Sequence, residues 1–345
     1  MNNNNLIIKS DNIIGLNWLI DNGYEGKIDL VYIDPPFATG GVFGIDNSGR
    51  VATVSKSNDS QIAYTDKLKG SEYIEWLRAR IRLLHRLLSP EGSLYLHIDY
   101  KIGHYVKVML DEEFGIENFR NDITRIKCNP KGFFRVGYGN IKDMILFYSK
   151  TDHPVWNDVR IDCTEEDIAR RYNKIDEKGR RYTTVPLHAP GETKDGGTSQ
   201  CFKGLYPPKG RHWRCSVEEL ERLDREGLIE WSAKGNPRKI NYADEHMSKK
   251  PQDIWEYKDP VYPIYPTEKN LDMLKFIVSN SSNPGSIVLD CFCGSGSTML
   301  AAELCGRRWI GIDCSQVAID ASKSRFPEGA LFGGQSYDYI DLESM

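Results

Sequence analysis

Asp34-Pro35-Pro36-Phe37 is the segment whose residue types best suit catalysis. It follows the apolar run 28–33, which predicts a buried strand. A carboxylate and a proline-fixed carbonyl can together accept both hydrogens of an exocyclic amine, which returns the lone pair to the nitrogen for attack on an electrophile. The ring of Phe37 could stack on a base. The alternative is a rigid turn, because Asp-Pro and Pro-Pro also mark turns.

A glycine-containing turn at 290–298 is the second segment that could bind a ligand. A predicted strand ends at Asp290, and a helix is predicted to open after Gly294 and Gly296. A second strand ends at Asp313, about 20 residues later, where a carboxylate can hold ribose hydroxyls. The glycine turn and Asp313 together favour a site for a nucleoside-bearing cofactor over a plain structural turn. A dinucleotide is less favoured, because the turn is shorter than G-x-G-x-x-G.

Together these residues resemble the amino-methyltransferase family, whose catalytic motif reads Asp-Pro-Pro-Phe or Asp-Pro-Pro-Tyr. The segment from Asp290 to Gly296 is similar to that family's cofactor motif, with Cys291 in place of the usual proline. The catalytic motif precedes the cofactor motif in this chain. That order resembles the permuted β class of bacterial DNA methyltransferases, especially type III modification subunits and their solitary relatives.

The resemblance covers nearly the whole chain and is weakest in 38–70 and 151–262. Thr267 and Lys269 lie in a segment similar to His-Pro-Thr-Gln-Lys-Pro, which lies near the methionine end of the cofactor. Asn270 replaces the last proline of that motif and predicts a looser helix start. Asp11, after the first predicted strand, fits the position that contacts the cofactor adenine.

The resemblance implies transfer of a methyl group from S-adenosylmethionine to N6 of an adenine flipped out of duplex DNA. Cytosine N4, an RNA substrate and a non-catalytic DNA-binding subunit are the alternatives. Asp34 favours adenine, because Ser-Pro-Pro-Tyr is more usual in enzymes that modify cytosine. The implied catalytic residues are Asp34, Pro35, Pro36 and Phe37. The implied cofactor residues are Asp11, Thr267, Lys269, Asp290, Cys291, Phe292, Gly294, Gly296, Ser297, Thr298 and Asp313.

Two segments mix basic and aromatic residues, which suits contact with phosphates and bases. They are 125–139 (RIKCNPKGFFRVGYG) and 203–214 (KGLYPPKGRHWR). The alternatives are a solvated loop for the first and a structural or partner-binding insert for the second. The predicted DNA-binding residues are Arg125, Lys127, Lys131, Arg135, Lys209, Arg211 and Arg214.

The periodicity of the chain predicts an α/β fold with a parallel sheet. By resemblance this is a Rossmann-like, circularly permuted methyltransferase sheet with an inserted target-recognition domain. We predict a catalytic half over 1–150, the insert over 151–262 and a cofactor half over 263–345. Residues 38–70 are predicted to form a long mobile loop that closes over the flipped base. The predicted strands are 6–9, 28–33, 93–98, 143–149, 286–290 and 308–312, and the predicted helices are 13–20, 71–88, 103–111, 270–279 and 297–305.

Composition sets outer limits on function. The chain has 345 residues, 40% hydrophobic and 27% charged, which is typical of a soluble globular protein. Its apolar runs are too short for a bilayer and its N-terminus lacks a signal pattern, so we expect a cytoplasmic protein with no membrane partner. The eight cysteines lack zinc-ligand spacing, so no metal is predicted. A net charge of −4 means that only a local patch could face DNA. Duplex DNA, a second copy and a restriction subunit are the partners that the resemblance implies.

Overall fold

The computed structural model describes residues 4–36, 42–45, 51–53, 61–65, 70–130, 132, 136–245, 247–260, 263, 268–326 and 337–344. The chain forms two compact units. The larger unit comprises Met1–Val159 and Gln252–Met345, and the smaller one Arg160–Pro251.

The larger unit carries a long α/β series on both sides of the smaller unit in sequence. Its first stretch comprises β1 (Asn5–Lys9), α1 (Asn12–Leu19), β2 (Ile28–Ile33), β3 (Val42–Ile45), β4 (Val51–Thr53), β5 (Gln61–Thr65), α2 (Gly70–Leu87), β6 (Leu88–Ile98), α3 (Gly103–Phe114), β7 (Phe119–Ile126) and β8 (Lys142–Ser149), with a π-helical turn at Ile20–Tyr24 and a 3₁₀ turn at Ile116–Asn118.

The smaller unit contains short elements. They are β9 (Ile161–Asp162), α4 (Glu165–Arg171), β10 (Lys174–Ile175), β11 (Arg181–Pro186), β12 (His188–Pro190), β13 (Arg211–Trp213), α5 (Val217–Arg225), β14 (Ile229–Trp231), β15 (Pro237–Tyr242), a 3₁₀ turn at Ala243–Glu245, and β16 (Ser248–Lys249). The larger unit then resumes with β17 (Ile254–Trp255), α6 (Leu271–Ser281), β18 (Ile287–Asp290), α7 (Ser297–Leu304), β19 (Arg308–Asp313), α8 (Gln316–Arg325) and β20 (Tyr337–Asp341).

A nine-stranded sheet in the order β17-β7-β8-β6-β2-β18-β19-β1-β20 is the centre of the larger unit. All neighbours pair in parallel except β8, which is antiparallel to both β6 and β7. The sheet is therefore mostly parallel, as predicted, and β8 is the antiparallel exception. Residues 127–141, which join β7 to β8, contain no helix in their described part, and a return without a crossover gives an antiparallel pair.

Helices cover both faces of this sheet. Along β1, Leu6 and Ile8 pack on the face covered by α1, α2 and α3, whereas Ile7 packs on the face covered by α6, α7 and α8. Strands buried on both faces explain the near-continuous apolar runs in the sequence. This layered, mostly parallel architecture confirms the predicted α/β class, whereas the circular permutation stays a prediction.

The smaller unit contains a four-stranded sheet, β10-β11-β15-β14, whose paired strands are antiparallel. Its core is formed by Leu187, Phe202, Trp213, Leu220 and Leu223. The unit is shorter than the predicted insert 151–262. Both flanks of that insert join the larger unit, since β17 pairs with β7 and the amide of Asn157 bonds the carbonyl of Asn280 at 2.8 Å.

The described residues within 38–70 include strands, whereas a long loop was predicted. Strands β3, β4 and β5 form a three-stranded antiparallel sheet in the order β4-β3-β5. Strands β7 and β20 and helix α8 were not predicted from the sequence either. Among the described residues, no helix has the length and apolar character needed to cross a membrane.

Candidate cofactor and catalytic site

Four acids follow four neighbouring parallel strands at one edge of the sheet. Asp34, Asp290, Asp313 and Asp11 stand at the carboxyl ends of β2, β18, β19 and β1, which are adjacent in that order. The helices α2 and α7, which follow β2 and β18, lie on opposite faces of the sheet. Such a change of face opens a crevice beyond the strand ends, where ligands of α/β sheets bind.

The two carboxylate oxygens of Asp34 differ in their contacts. Oδ2 forms an ion pair with Lys269 Nζ at 2.7 Å, and the two side chains are only 16% and 10% exposed. Oδ1 is buried, and within the described residues it has no hydrogen-bond partner. Burying an acceptor without a donor is costly, so such an atom suits a ligand that brings an N–H.

Asp290 is buried beside Asp34. Its Oδ1 accepts the amide N–H of Phe292 at 3.0 Å, and the Thr298 hydroxyl also bonds to it. Burial, together with the nearby charges of Asp34 and Asp313, raises the pKa of Asp290 to about 7 in spite of those two bonds. A cation in the crevice would relieve this repulsion, so the acids suit a positively charged cofactor.

Asp313 holds the glycine turn. Its Oδ2 accepts the N–H of Gly294 at 2.9 Å, and its Oδ1 accepts the N–H of Ser315 at 2.9 Å. Burial raises its pKa. Gly296 has φ +77°, and a Cβ there would lie 2.8 Å from Met299 Cε, so the turn requires glycine at this position. The ribose role of Asp313 stays a prediction.

Asp11 is the N-cap of α1 and accepts the N–H of Ile13 at 2.8 Å. Its Oδ2 lies 3.4 Å from Arg80 Nη2, and the Arg80 guanidinium stacks 3.9 Å from the centre of the Trp76 ring. Trp76 in turn lies 5.8 Å from the ring of Phe292. Arg80 and Trp76 were missed from the sequence, because they read as part of the amphipathic helix α2.

The remaining predicted site residues differ in their burial. Pro35, Cys291, Ser297 and Thr298 are buried, whereas Pro36, Phe292 and Gly294 are partly exposed. Phe37 and Thr267 lie outside the described residues. Asn270, predicted to loosen the helix start, instead caps α6, since its Oδ1 accepts the N–H of Met273 at 3.0 Å. An asparagine at that position satisfies a helix donor that a proline could not.

Arg125 does not stand where it was predicted to act. It is fully buried, and its guanidinium donates to the Tyr257 carbonyl at 2.7 Å and to Asp259 at 2.5 Å. A side chain held in this way does not reach a DNA phosphate, so its role is to join β7 to 257–259. Lys127 binds Asp143 Oδ1 at 2.6 Å and is 24% exposed. Lys131 and Arg135 lie outside the described residues.

Lys209, Arg211 and Arg214 are exposed in the smaller unit. Arg211 Nη1 lies 3.0 Å from His188 Nδ1. Burial, with the charges of Arg211 and Arg214, lowers the pKa of His188. These residues therefore form a local basic patch, although their contact with DNA stays a prediction.

Known DNA methylases are similar to this chain over most of its length. The profile of the family described as DNA methylase matches residues 28–324. The type II methyltransferase M.EcaI of Enterobacter cloacae is 42% identical over 343 residues, which cover 98% of this chain and 72% of that protein. The chain belongs to the DNA methylase family. It is a DNA methyltransferase of the restriction-modification type that depends on S-adenosylmethionine, as predicted.

More distant matches are found among curated proteins and among solved structures. The StyLTI Mod subunit of Salmonella typhimurium is 26% identical over 331 residues, which cover 86% of this DNA methylase and 49% of the subunit. Among solved structures, the cytosine-N4-specific PvuII DNA methyltransferase has a TM-score of 0.50 at 15% identity, covering 99% of this chain and 96% of that one. A DNA modification methylase from Thermus thermophilus has a TM-score of 0.50 at 16% identity, covering 98% and 100%.

Proposed function

We propose that this DNA methylase methylates N6 of an adenine that is flipped out of duplex DNA. The observation that carries the proposal is the buried Oδ1 of Asp34, which has no hydrogen-bond partner among the described residues. An exocyclic N–H would satisfy that oxygen. The carboxylate charge, compensated on its other oxygen by Lys269, would stabilise the positive charge that develops on the attacking nitrogen.

The crevice fits S-adenosylmethionine. Bound there, this cofactor supplies an activated methyl group on a sulfonium. Asp290 would face its positive charges, because a nearby cation would favour the charged form of this buried acid. The turn at Gly296 would let the backbone approach the methionine part, and Asp313 would hold the ribose. Asp11 and Phe292 would border the adenine.

Asp34 and the two prolines that follow it would position the target base. The carbonyl of Pro35 or Pro36 could accept the second N–H of the amine, because proline rings fix this backbone. Asp34 stands on the strand next to that of Asp290, so the accepted amine would lie close to the cofactor pocket. Phe37 is proposed to stack on the base. The enzyme's contribution is thus orientation and electrostatics, with no covalent intermediate.

The smaller unit, 160–251, is proposed to recognise the target sequence. Its exposed Lys209, Arg211 and Arg214 support this, since cations on one surface can neutralise phosphates while neighbouring groups contact base edges. The order of the two motifs along the chain supports the permuted class. A restriction subunit as partner and the bacterial cytoplasm are proposed from the restriction-modification relatives. A homodimer is proposed from the sequence resemblance alone. The closing role proposed for 38–70 concerns residues that the structure describes only in part.

Cytosine N4 is the second candidate, because the family and the PvuII enzyme include it. Identification of the methylated nucleoside separates the two. The protein is incubated with duplex DNA and S-adenosylmethionine carrying a labelled methyl, and the digested DNA is analysed by mass spectrometry. Label on N6-methyladenine is the expected result. Label on N4-methylcytosine would replace the proposal, and DNA without label would indicate a non-catalytic subunit.

A further inference from the structure

Arg325, the last residue of α8, joins three segments of the site. Its Nε donates to the carbonyl oxygen of Ser295 at 2.6 Å, within the glycine turn. Its Nη2 forms an ion pair with Glu268 Oε1 at 2.5 Å and lies 3.3 Å from Ser295 Oγ and 3.4 Å from Ser297 Oγ. The side chains of Arg325 and Glu268 are 12% and 14% exposed, so this bridge is largely withdrawn from water.

The partners of Arg325 lie at two parts of the proposed site, the glycine turn and the segment that pairs with Asp34. Ser295 belongs to the turn that precedes α7, and Ser297 is the first residue of that helix. Glu268 immediately precedes Lys269, which pairs with Asp34 at 2.7 Å. Arg325 thus links the glycine turn to Glu268, the residue next to Lys269. Its hydrogen bonds are charge-assisted and therefore stronger than those between neutral groups.

A second residue of α8 holds the same turn. Ser322 stands one helical turn before Arg325, and its hydroxyl donates to the carbonyl of Gly294 at 2.9 Å. Two successive carbonyls of the turn, at Gly294 and Ser295, are therefore held by one face of α8. The cation of Arg325 also lies at the carboxyl end of its helix, where the helix dipole favours positive charge.

We propose that Arg325 is a positioning residue for the cofactor. It sets the glycine turn and the segment 268–269 at a fixed separation, so that the methionine end of S-adenosylmethionine meets a preformed site. Because Glu268 is neutralised by this bridge, its charge does not distort the ion pair of the neighbouring Lys269. The inference rests on the proposed cofactor site and adds a residue outside the crevice-lining motifs.

The test compares Arg325→Met, Arg325→Lys and the double variant Arg325→Met with Glu268→Gln. Lys323→Met is the matched control, since Lys323 also lies in the last turn of α8 but stacks over the Tyr339 ring. Measurements are the Kd for S-adenosylmethionine by calorimetry, the KM and kcat for methylation of duplex DNA, and the melting temperature.

Arg325→Met is expected to raise the Kd and KM for the cofactor about tenfold or more, with a smaller change in kcat at saturating cofactor. Arg325→Lys should be intermediate, because an ammonium cannot make both bonds of the fork. The double variant should recover part of the loss, since it also removes the largely buried charge of Glu268 that Arg325 compensates in the wild type. Lys323→Met should keep the wild-type values.

The inference is overturned if Arg325→Met changes the melting temperature but leaves Kd and KM near those of the wild type, or if the double variant shows purely additive losses. If Arg325→Met does not fold, Arg325→Lys decides on the same Kd and KM readouts. Failure of the proposed function would look different. The wild type itself would then place no methyl on adenine, although the Kd comparison among variants would still stand.

Discussion

The Asp34 side chain experiences two environments. The ammonium of Lys269 compensates Oδ2 for its burial, whereas the desolvation of Oδ1 is not offset by any described residue. Unfavourable local free energies of this kind are concentrated at functional sites, where a bound ligand offsets them. The physical consequence is that an amine donor binds more favourably at Oδ1 than at an exposed carboxylate.

Asp290 allows a prediction about stability and pH. Its folded-state pKa of about 7 lies above the unfolded value of 3.8, because burial disfavours the charged form. The folded protein therefore binds the extra proton between these values, and its stability falls as pH rises from about 4 to about 7. Asp290→Asn removes the charge and should stabilise the protein at pH 8, on the order of 1–3 kcal/mol, since one pKa unit corresponds to about 1.4 kcal/mol.

Urea unfolding of wild type and Asp290→Asn at pH 8 and pH 5 measures this difference, which should shrink at the lower pH. The exposed Asp21 supplies a control, because Asp21→Asn should leave the pH dependence as it is in the wild type. A variant that is equally destabilised at both pH values would contradict the assignment. It would mean that the Phe292 and Thr298 bonds outweigh the buried charge.

At this scale the sequence predicted correctly that the acidic residues lie at the sheet edge. It did not predict the buried contacts of the basic residues. Asp34, Asp290 and Asp313 each end a strand, so a local pattern locates them at the sheet edge. Arg125 and Arg325 depend on partners far away in the chain, such as Asp259 and Glu268. A cation that forms a buried bridge and a cation that faces DNA look the same in sequence, which is why Arg125 was misread.

Strands β2, β6 and β8 share a buried polar network behind Asp34. The hydroxyl of Tyr32 lies 2.8 Å from His97 Nδ1, and His97 Nε2 lies 3.2 Å from Asp143 Oδ2. Burial lowers the pKa of His97, so a neutral ring can accept from Tyr32 and donate to Asp143. Burial alone would raise the pKa of Asp143, but the bonds from His97 and Lys127 hold it well below its usual value.

Asp143→Asn should destabilise the protein by about 3–5 kcal/mol, because it leaves Lys127 and the buried Arg125 without their shared counter-charge. The matched comparison is Glu25→Gln, which breaks an ion pair with Arg86 whose side chains are about half exposed. That variant should cost much less, because ion pairs in contact with water contribute little to stability. Denaturant unfolding at pH 7 measures both. Equal losses would show that the Asp143 network contributes no more than a surface pair.

The stability from Asp143 has a defined pH sense. Its folded-state pKa is depressed, so the contribution is present above the unfolded value and is lost as pH falls through the acid range. The loss of stability on acidification should therefore be smaller in Asp143→Asn than in the wild type.

Elements with strong periodicity were predictable. The helix at α2 and the strands β1 and β2 match their predicted positions closely, because buried faces impose a clear apolar pattern. In contrast, α8 buries Ala318, Ile319 and Ser322, which are mostly small or polar and give a weak amphipathic signal. Strand β7 (FRNDITRI) is largely polar, since only two of its residues, Ile123 and Arg125, are buried. Its place beside β8 follows from tertiary pairing.

At the scale of the whole molecule, two compact units divide the proposed work. The larger one carries the acids of the crevice, and the smaller one carries the exposed basic residues Lys209, Arg211 and Arg214. The layered sheet was predictable, because alternating strands and helices leave few other arrangements. The insert's exact bounds were not, because segments such as 254–255 pair with a strand more than a hundred residues away.

Arg211→Ala is expected to weaken DNA binding. If Arg211 contacts a phosphate, its loss should lower affinity for all sequences and reduce the slope of log affinity against log salt by about 1. Binding isotherms at several salt concentrations measure this. Arg222→Ala is the control in the same unit, because Arg222 pairs with Glu219 in its own helix and with Glu226 just after that helix, each at 2.7 Å. An unchanged slope for Arg211→Ala would contradict the proposed DNA-binding patch.

The most direct test of the account is Asp34→Ala, assayed at once for cofactor binding and for single-turnover methylation of duplex DNA. The account predicts that methylation of adenine falls by about a hundredfold or more, while the Kd for S-adenosylmethionine stays within a few-fold of the wild type. A variant that still methylates at a near-normal rate would contradict it. So would a folded variant that no longer binds the cofactor, because Asp34 would then shape the pocket instead of accepting the amine.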